Sequence, residues 1–301
     1  MKHFKLHSFL ANNTDCTPLA QIQERVQTMQ RLACFNTEIK TSFTHCKWTD
    51  CESNAESNGG AILCTTAGVS LFFDYCIFLN CCCGSTDYSG GSIYVVSVSI
   101  ISVTNSVFEY TKEAPQAFHG GAMFVHSVSA VKIYDNIFYK CFISSSGGAA
   151  WIGHCSSANS KYQVINNCIF HNSRGTSGYG GGVDAYYNNQ YNCFLCNSIF
   201  SECSNYYGGG IYLLYTSYPS STLNEAYPIQ YCFFNKNTFV GEGAGNDVHI
   251  EITNTYIPSD ANPIFNYCLS TTPSNRIGYY NHGYYSKDVN WLPLAFTHVC
   301  V

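Results

Sequence analysis

The sequence predicts an all-β chain, a parallel β-helix of about seven coils with an N-terminal capping helix. Three observations carry this expectation. Six glycine pairs recur, at Gly59-Gly60, Gly90-Gly91, Gly120-Gly121, Gly147-Gly148, Gly181-Gly182 and Gly209-Gly210, with steps of 31, 30, 27, 34 and 28 residues. A phenylalanine recurs between them, at Phe43, Phe78, Phe108, Phe138, Phe170, Phe200 and Phe234, with steps of 35, 30, 30, 32, 30 and 34. After each glycine pair, apolar residues stand two apart, as in Ile62/Cys64, Ile93/Val95, Met123/Val125 and Ile211/Leu213. A fixed period in this range marks a repeat architecture, and a period of two with β-branched residues is strand chemistry. Equivalent positions hold similar side chains, so successive units stack as parallel strands; about thirty residues per unit accommodates three short strands and three turns at roughly 3.3 Å per residue.

Taken in order, residues 1–34 form an N-terminal segment with the capping helix. Thr17-Pro18 supplies an N-cap and first helical residue, and Leu19, Ile22, Val26 and Met29 line one helix face. A helix there covers the unpaired strand edge of the solenoid. Residues 35–250 hold the repeats. Aligned on the phenylalanine, Phe73, Val103, Ile133, Ile165, Leu195 and Ile229 form one column, and Thr41, Cys76, Ser106, Asn136, Cys168, Ser198 and Cys232 form a column of small or polar residues. Asn105, Asp135, Asn167 and Asn197, three before the phenylalanine, read as a turn, because Asn and Asp tolerate left-handed backbone. The longer spacings place insertions near Cys155–Tyr162 and Thr216–Tyr227, both rich in loop residues. Residues 251–301 lose both markers and are expected to cap or flank the stack.

Composition narrows the functional classes. Charged residues make up 11% and hydrophobic residues 46%, too apolar for a disordered chain. A net charge of −5 gives no electrostatic support for nucleic-acid binding. No apolar run approaches the ~20 residues of a membrane-spanning helix, and Met1–Ala11 has a basic head without the apolar stretch of a secretory signal.

The chain has 18 cysteines. Slots that hold Cys in one unit hold Ser, Thr or Asn in another, which points to small buried side chains and mostly free thiols. Disulfides stay open for Cys193/Cys196 and within Cys81-Cys82-Cys83. Cys193-Phe194-Leu195-Cys196 lacks the second pair of a zinc site, so no metal and no cofactor is expected.

One column is the candidate site. Leu63, Tyr94, Phe124, Trp151, Asp184 and Tyr212 point outward after the glycine pairs. Facing solvent, Tyr94, Phe124, Trp151, Asp184 and Tyr212 would form an aromatic stripe able to stack on sugars or anchor a protein. Asp184 is the one carboxylate in it and the centre of any hydrolytic or lyase chemistry. The nine Asp and ten Glu share no column, so the paired carboxyls of a glycosidase are not evident.

The alternation of Gly-Gly-Ala-Ile with Phe78-Leu79-Asn80-Cys81, Phe138-Tyr139-Lys140-Cys141, Phe200-Ser201-Glu202-Cys203 and Phe43-Thr44-His45-Cys46 resembles the polymorphic membrane protein repeat family of bacterial and protist surface proteins. Phe234-Asn235-Lys236-Asn237 carries the Asn form, whereas Phe108-Glu109-Tyr110-Thr111 and Phe170-His171-Asn172-Ser173 depart from it. The resemblance implies a right-handed parallel β-helix displayed at a cell surface as an adhesin or antigen. The expected role is non-catalytic recognition of a protein or glycan along a ladder face. A carbohydrate-active lyase or hydrolase, or a truncated repeat protein without independent activity, are the alternatives.

Overall fold

Residues about thirty apart in sequence become hydrogen-bonded neighbours, as Val107 does with Ile77 and Ile137. In the computed structural model every inter-strand pairing is parallel and in register, and three sheets of eight strands each run along one axis. The structure describes residues 40–281 except 54–56, 84, 86, 111–116, 154–163, 188–194, 216–228, 241–244, 253–264, 267 and 271–276. The described residues contain no helix. The expected capping helix and both insertions lie outside them. The chain is a parallel β-solenoid, in which each turn contributes one strand to each sheet. For one turn these are Met123–His126 in the third sheet, Ala130–Tyr134 in the first and Ile137–Tyr139 in the second. The sheets continue through Phe265–Asn266, Leu269–Ser270 and Ile277–Asn281, inside the segment expected to cap or flank the stack.

The core is built from columns. Phe78, Phe108, Phe138, Phe170 and Phe200 lie in single file, with ring centroids 4.6 to 4.8 Å apart and planes within 6° of parallel. That separation is the strand spacing itself, so an in-register ladder of flat side chains stacks without distortion. Phe73, Val103, Ile133, Ile165, Leu195 and Ile229 line the first sheet, in register and buried as expected.

Two expected alignments are corrected. Phe43 is not the first member of the file. It pairs with Phe73 in the first sheet, and Trp48 takes the place below Phe78, stacked at 4.6 Å. The discrepant first step of 35 becomes a step of 30 from Trp48. The file selects a large flat ring, which indole satisfies as well as phenyl. Cys46 therefore replaces Thr41 beneath Cys76, and Cys51 lies beneath Cys81. The last two glycine pairs shift by one as well, to Gly180-Gly181 and Gly208-Gly209. Gly180 has the positive φ of 60° shared by the first glycine of each pair, and a Cβ on Gly148 would collide with the carbonyl oxygen of Gly181 in the next turn.

The corners between the first and second sheets explain the small polar column. The left-handed residue is Asn105, Asp135, Asn167 or Asn197 as expected, and also His45, Tyr75 and Tyr231. The next residue points inward; where it is Ser or Asn it accepts from a backbone N–H of the preceding turn, and where it is Cys its thiol donates to a backbone carbonyl there. Cys76 N–H donates to Ser106 Oγ at 3.0 Å, Ser106 N–H to Asn136 Oδ1 at 2.8 Å, and Cys168 N–H to Ser198 Oγ at 3.1 Å. Outside, Asn167 Nδ2 donates to Asp135 Oδ1 at 2.6 Å, a hydrogen bond along the stack.

Candidate functional site

The outer face of the third sheet carries the candidate column, and the strand register aligns it as the sequence suggests: Leu63, Tyr94, Phe124, Trp151, Asp184 and Tyr212. The register adds His249, which pairs with Tyr212. Alternation along each strand sends these side chains outward while Ile93, Met123, Ala150, Val183 and Ile211 fill the interior.

Tyr94, Phe124 and Trp151 form a continuous stack, with centroids 4.8 and 4.5 Å apart and planes within 6°. Asp184 interrupts the rings, which resume with Tyr212 and His249 at 5.5 Å and 4°. Tyr94 and Phe124 are half-buried, whereas Trp151 is 8% exposed, Asp184 2% and Tyr212 3%. The expected five-residue exposed stripe is thus open only at Tyr94 and Phe124.

The cover comes from two flanking columns of the same sheet. On one side stand His119, Ser146, Tyr179 and Tyr207. The ring of Tyr179 lies 4.3 Å from that of Tyr212, and His119 lies 5.8 Å from Trp151. On the other side stand His126, Gly153, Tyr186, Leu214 and Glu251. Tyr186 packs edge-on against Trp151 at 5.3 Å, His126 lies alongside the indole at 5.7 Å, and Tyr212 donates its hydroxyl to Glu251 Oε2. These columns contain neither Lys nor Arg.

Burial sets the electrostatics. It pushes the Asp184 carboxyl well above the ordinary carboxylate range, against hydrogen bonds from the Ser146 hydroxyl and the Trp151 indole N–H that favour the charged form; nearby Glu251 adds repulsion. Asp184 Oδ1 has no hydrogen-bond partner. Burial, then the hydrogen bond to Glu251, raises the Tyr212 phenol, and burial lowers the His119 imidazole. Burial therefore favours the protonated form of Asp184, which sits among aromatic rings with no Lys or Arg in these columns to hold a charge.

Sequence reasoning missed Ser146, Tyr179, His249 and Glu251. Ser146 and Tyr179 precede the glycine pair, outside the alternating strand pattern that drew attention. His249 and Glu251 follow Gly245-Asn246-Asp247, where a single glycine keeps the positive φ of 76° and the marker pair is lost. The spacing from Asn237 was the signal that could have found them.

Twelve described cysteines carry no disulfide, and Cys196 is disulfide-bonded to a partner outside the described residues. Among the described residues no group of three or more His, Cys, Asp or Glu could hold a metal ion, and no helix is long and apolar enough to cross a membrane. Fold and face together define a parallel β-solenoid with an aromatic ladder on its third sheet. No family model, curated protein or solved structure matches the chain.

Proposed function

We propose that this solenoid is a non-catalytic recognition protein of the adhesin type, acting at a cell surface and binding a glycan or protein along the third sheet. The observation that carries the reading is the parallel stack of Tyr94, Phe124 and Trp151, half-open at its first two rings. A rigid row of stacked rings about 4.8 Å apart presents its edges as a continuous apolar strip along which the nonpolar side of a glycan could lie, or as an aromatic anchor for a protein. The absence of Lys and Arg from these columns favours an uncharged ligand over an acidic polysaccharide.

Glycan-array binding of the wild type against Phe124→Ala tests this. Loss of bound glycans by tenfold or more in the variant, with the circular dichroism spectrum unchanged, is the expected result for a central aromatic contact worth about 1.4 kcal/mol or more. Equal binding by both proteins rejects the ladder as the contact surface.

One observation favours a second reading, a carbohydrate-active enzyme. Asp184 is a buried carboxyl whose protonated form burial favours, beside the Trp151 indole and near Glu251, as a general acid is. Release of reducing ends from a polysaccharide panel, abolished in Asp184→Asn, would establish it in place of the binder.

A further inference from the structure

Cysteines in this solenoid fall into two classes. Cys141, Cys168 and Cys203 sit alone in their files. Cys168 has Asn136 and Ser198 as neighbours, Cys203 has Ser173 and Asn237, and Cys141 has Ser173. Three other positions hold cysteine in two consecutive turns. Cys46 lies beneath Cys76, one residue before the Lys47↔Ile77 pair. Cys51 lies beneath Cys81, one residue before the Glu52↔Cys82 bridge. Cys232 lies beneath Cys268, one residue before the Phe233↔Leu269 pair. The doubled positions occur in the two terminal turns at each end of the described sheets; of the cysteines that carry no disulfide and have no cysteine neighbour in their file, Cys141, Cys168 and Cys203 lie between them and Cys64, Cys82 and Cys83 in the first two turns.

We infer that Cys46/Cys76, Cys51/Cys81 and Cys232/Cys268 are redox staples, each closed by a small-molecule disulfide such as oxidised glutathione to clamp a terminal turn onto the stack. In-register parallel strands place Cα atoms roughly 4.8 Å apart, inside the roughly 4.4–6.8 Å range of a disulfide. The side chains leave the backbone in the same direction, so closure needs only a small convergence of the Cβ atoms. The thiols already converge. Cys46 and Cys76 share a hydrogen bond, as do Cys51 and Cys81, and Cys232 and Cys268.

The first pair is set up for attack. The hydrogen bond from Cys76 lowers the Cys46 thiol below its ordinary value and raises that of Cys76. The thiols point into the core, so the reaction takes place while a terminal turn is open: the Cys46 thiolate attacks one sulfur of the small disulfide, its S–S bond breaks, and one thiolate leaves. The Cys76 sulfur then attacks Cys46 Sγ in the mixed disulfide, forming the Sγ–Sγ bond and expelling the second thiolate, while the Cys76 proton passes to a departing thiolate. Two protein thiols are oxidised and one small disulfide is reduced to two thiols.

Terminal turns have a neighbour on one side only, so they open first in a stack held by nearest-neighbour contacts. A covalent link there suppresses opening where it begins, whereas a link in the middle would add little. The staple would thus serve a protein that matures by moving from a reducing to an oxidising compartment.

The test is to incubate the full chain with oxidised glutathione, block free thiols, and map peptides without reduction. The expected result is three cross-linked peptides, Cys46–Cys76, Cys51–Cys81 and Cys232–Cys268, with Cys141, Cys168 and Cys203 still alkylated after unfolding. Proteolysis within residues 40–53 is expected to slow by about tenfold and to recover on reduction. Cys76→Ser is the control, because Ser106 and Ser198 already occupy that file. It should keep the solenoid spectrum, lose the Cys46–Cys76 peptide alone, and leave Cys46 unpaired. Persistent thiols or glutathione adducts at the paired positions, or links between residues that are not file neighbours, overturn the inference.

Discussion

The six-membered ring of Trp151 lies across Gly153, close enough that a Cβ on the glycine would collide with it. The indole leans along its own strand over the glycine, parallel to Phe124 at 4.5 Å and flanked by Tyr186 and His126. Gly153→Ala is expected to tilt the indole out of the stack and destabilise the protein by about 1–3 kcal/mol, the ordinary cost of overpacking. Near-ultraviolet circular dichroism and a denaturant titration read the two effects. An unchanged aromatic spectrum would mean that the ring can shift without leaving Phe124.

The phenylalanine file makes a sharper demand. Phe138 is fully buried between Phe108 and Phe170, 4.8 Å from each. Phe138→Ala removes two stacking partners and leaves a cavity that rigid sheets cannot close, so a loss of about 3–5 kcal/mol is expected. Trp48→Phe restores the residue found in the other turns and should cost under about 1.5 kcal/mol. Comparable losses for the two variants in urea denaturation would show that the file is not the main support of the core.

How much of this was legible depended on whether a feature was written along the strand or between turns. The solenoid, the inward columns and the membership of the outer column follow from residue identity at a fixed period. Phe138 and Trp151 both sit where counting puts them. Trp48 was not placed because the marker was taken to be phenylalanine itself rather than any flat ring, and Phe43 was available at a nearby position. The enclosure of Asp184 was invisible for a different reason. It depends on Ser146, Tyr186 and Tyr212, which come near the carboxyl from three columns, and no single period brings them together. Their reach across the face is a property of side-chain length, which spacing does not encode.

Asn136 tests whether the corner column is structural. Its Oδ1 accepts from Ser106 N–H and its Nδ2 donates to the Val103 carbonyl, both at 2.8 Å. Asn136→Ala strands a buried donor and a buried acceptor, for a loss of about 2–4 kcal/mol. Asn136→Ser retains the acceptor toward Ser106 and should recover roughly half of that. Equal melting curves for the two variants would assign the loss to packing rather than to the hydrogen bonds.

Asp184 predicts a pH dependence with a definite sign. Burial raises its folded pKa above the unfolded value, so between about pH 4 and that raised value the folded chain binds more protons than the unfolded one. Its burial is therefore best tolerated below the unfolded pKa, and stability falls as pH rises through the window, by up to about 1.4 kcal/mol per pH unit from this group alone. Asp184→Asn removes the titration while its carbonyl can still accept from Ser146 and Trp151. The variant should match the wild type near pH 4, exceed it at pH 7, and flatten the slope by about one proton. Urea denaturation of both proteins at pH 4, 5.5 and 7 supplies the comparison. Parallel curves for the two proteins would mean that Asp184 ionises in the folded state as readily as in the unfolded chain, and that the aromatic cover does not keep water from it.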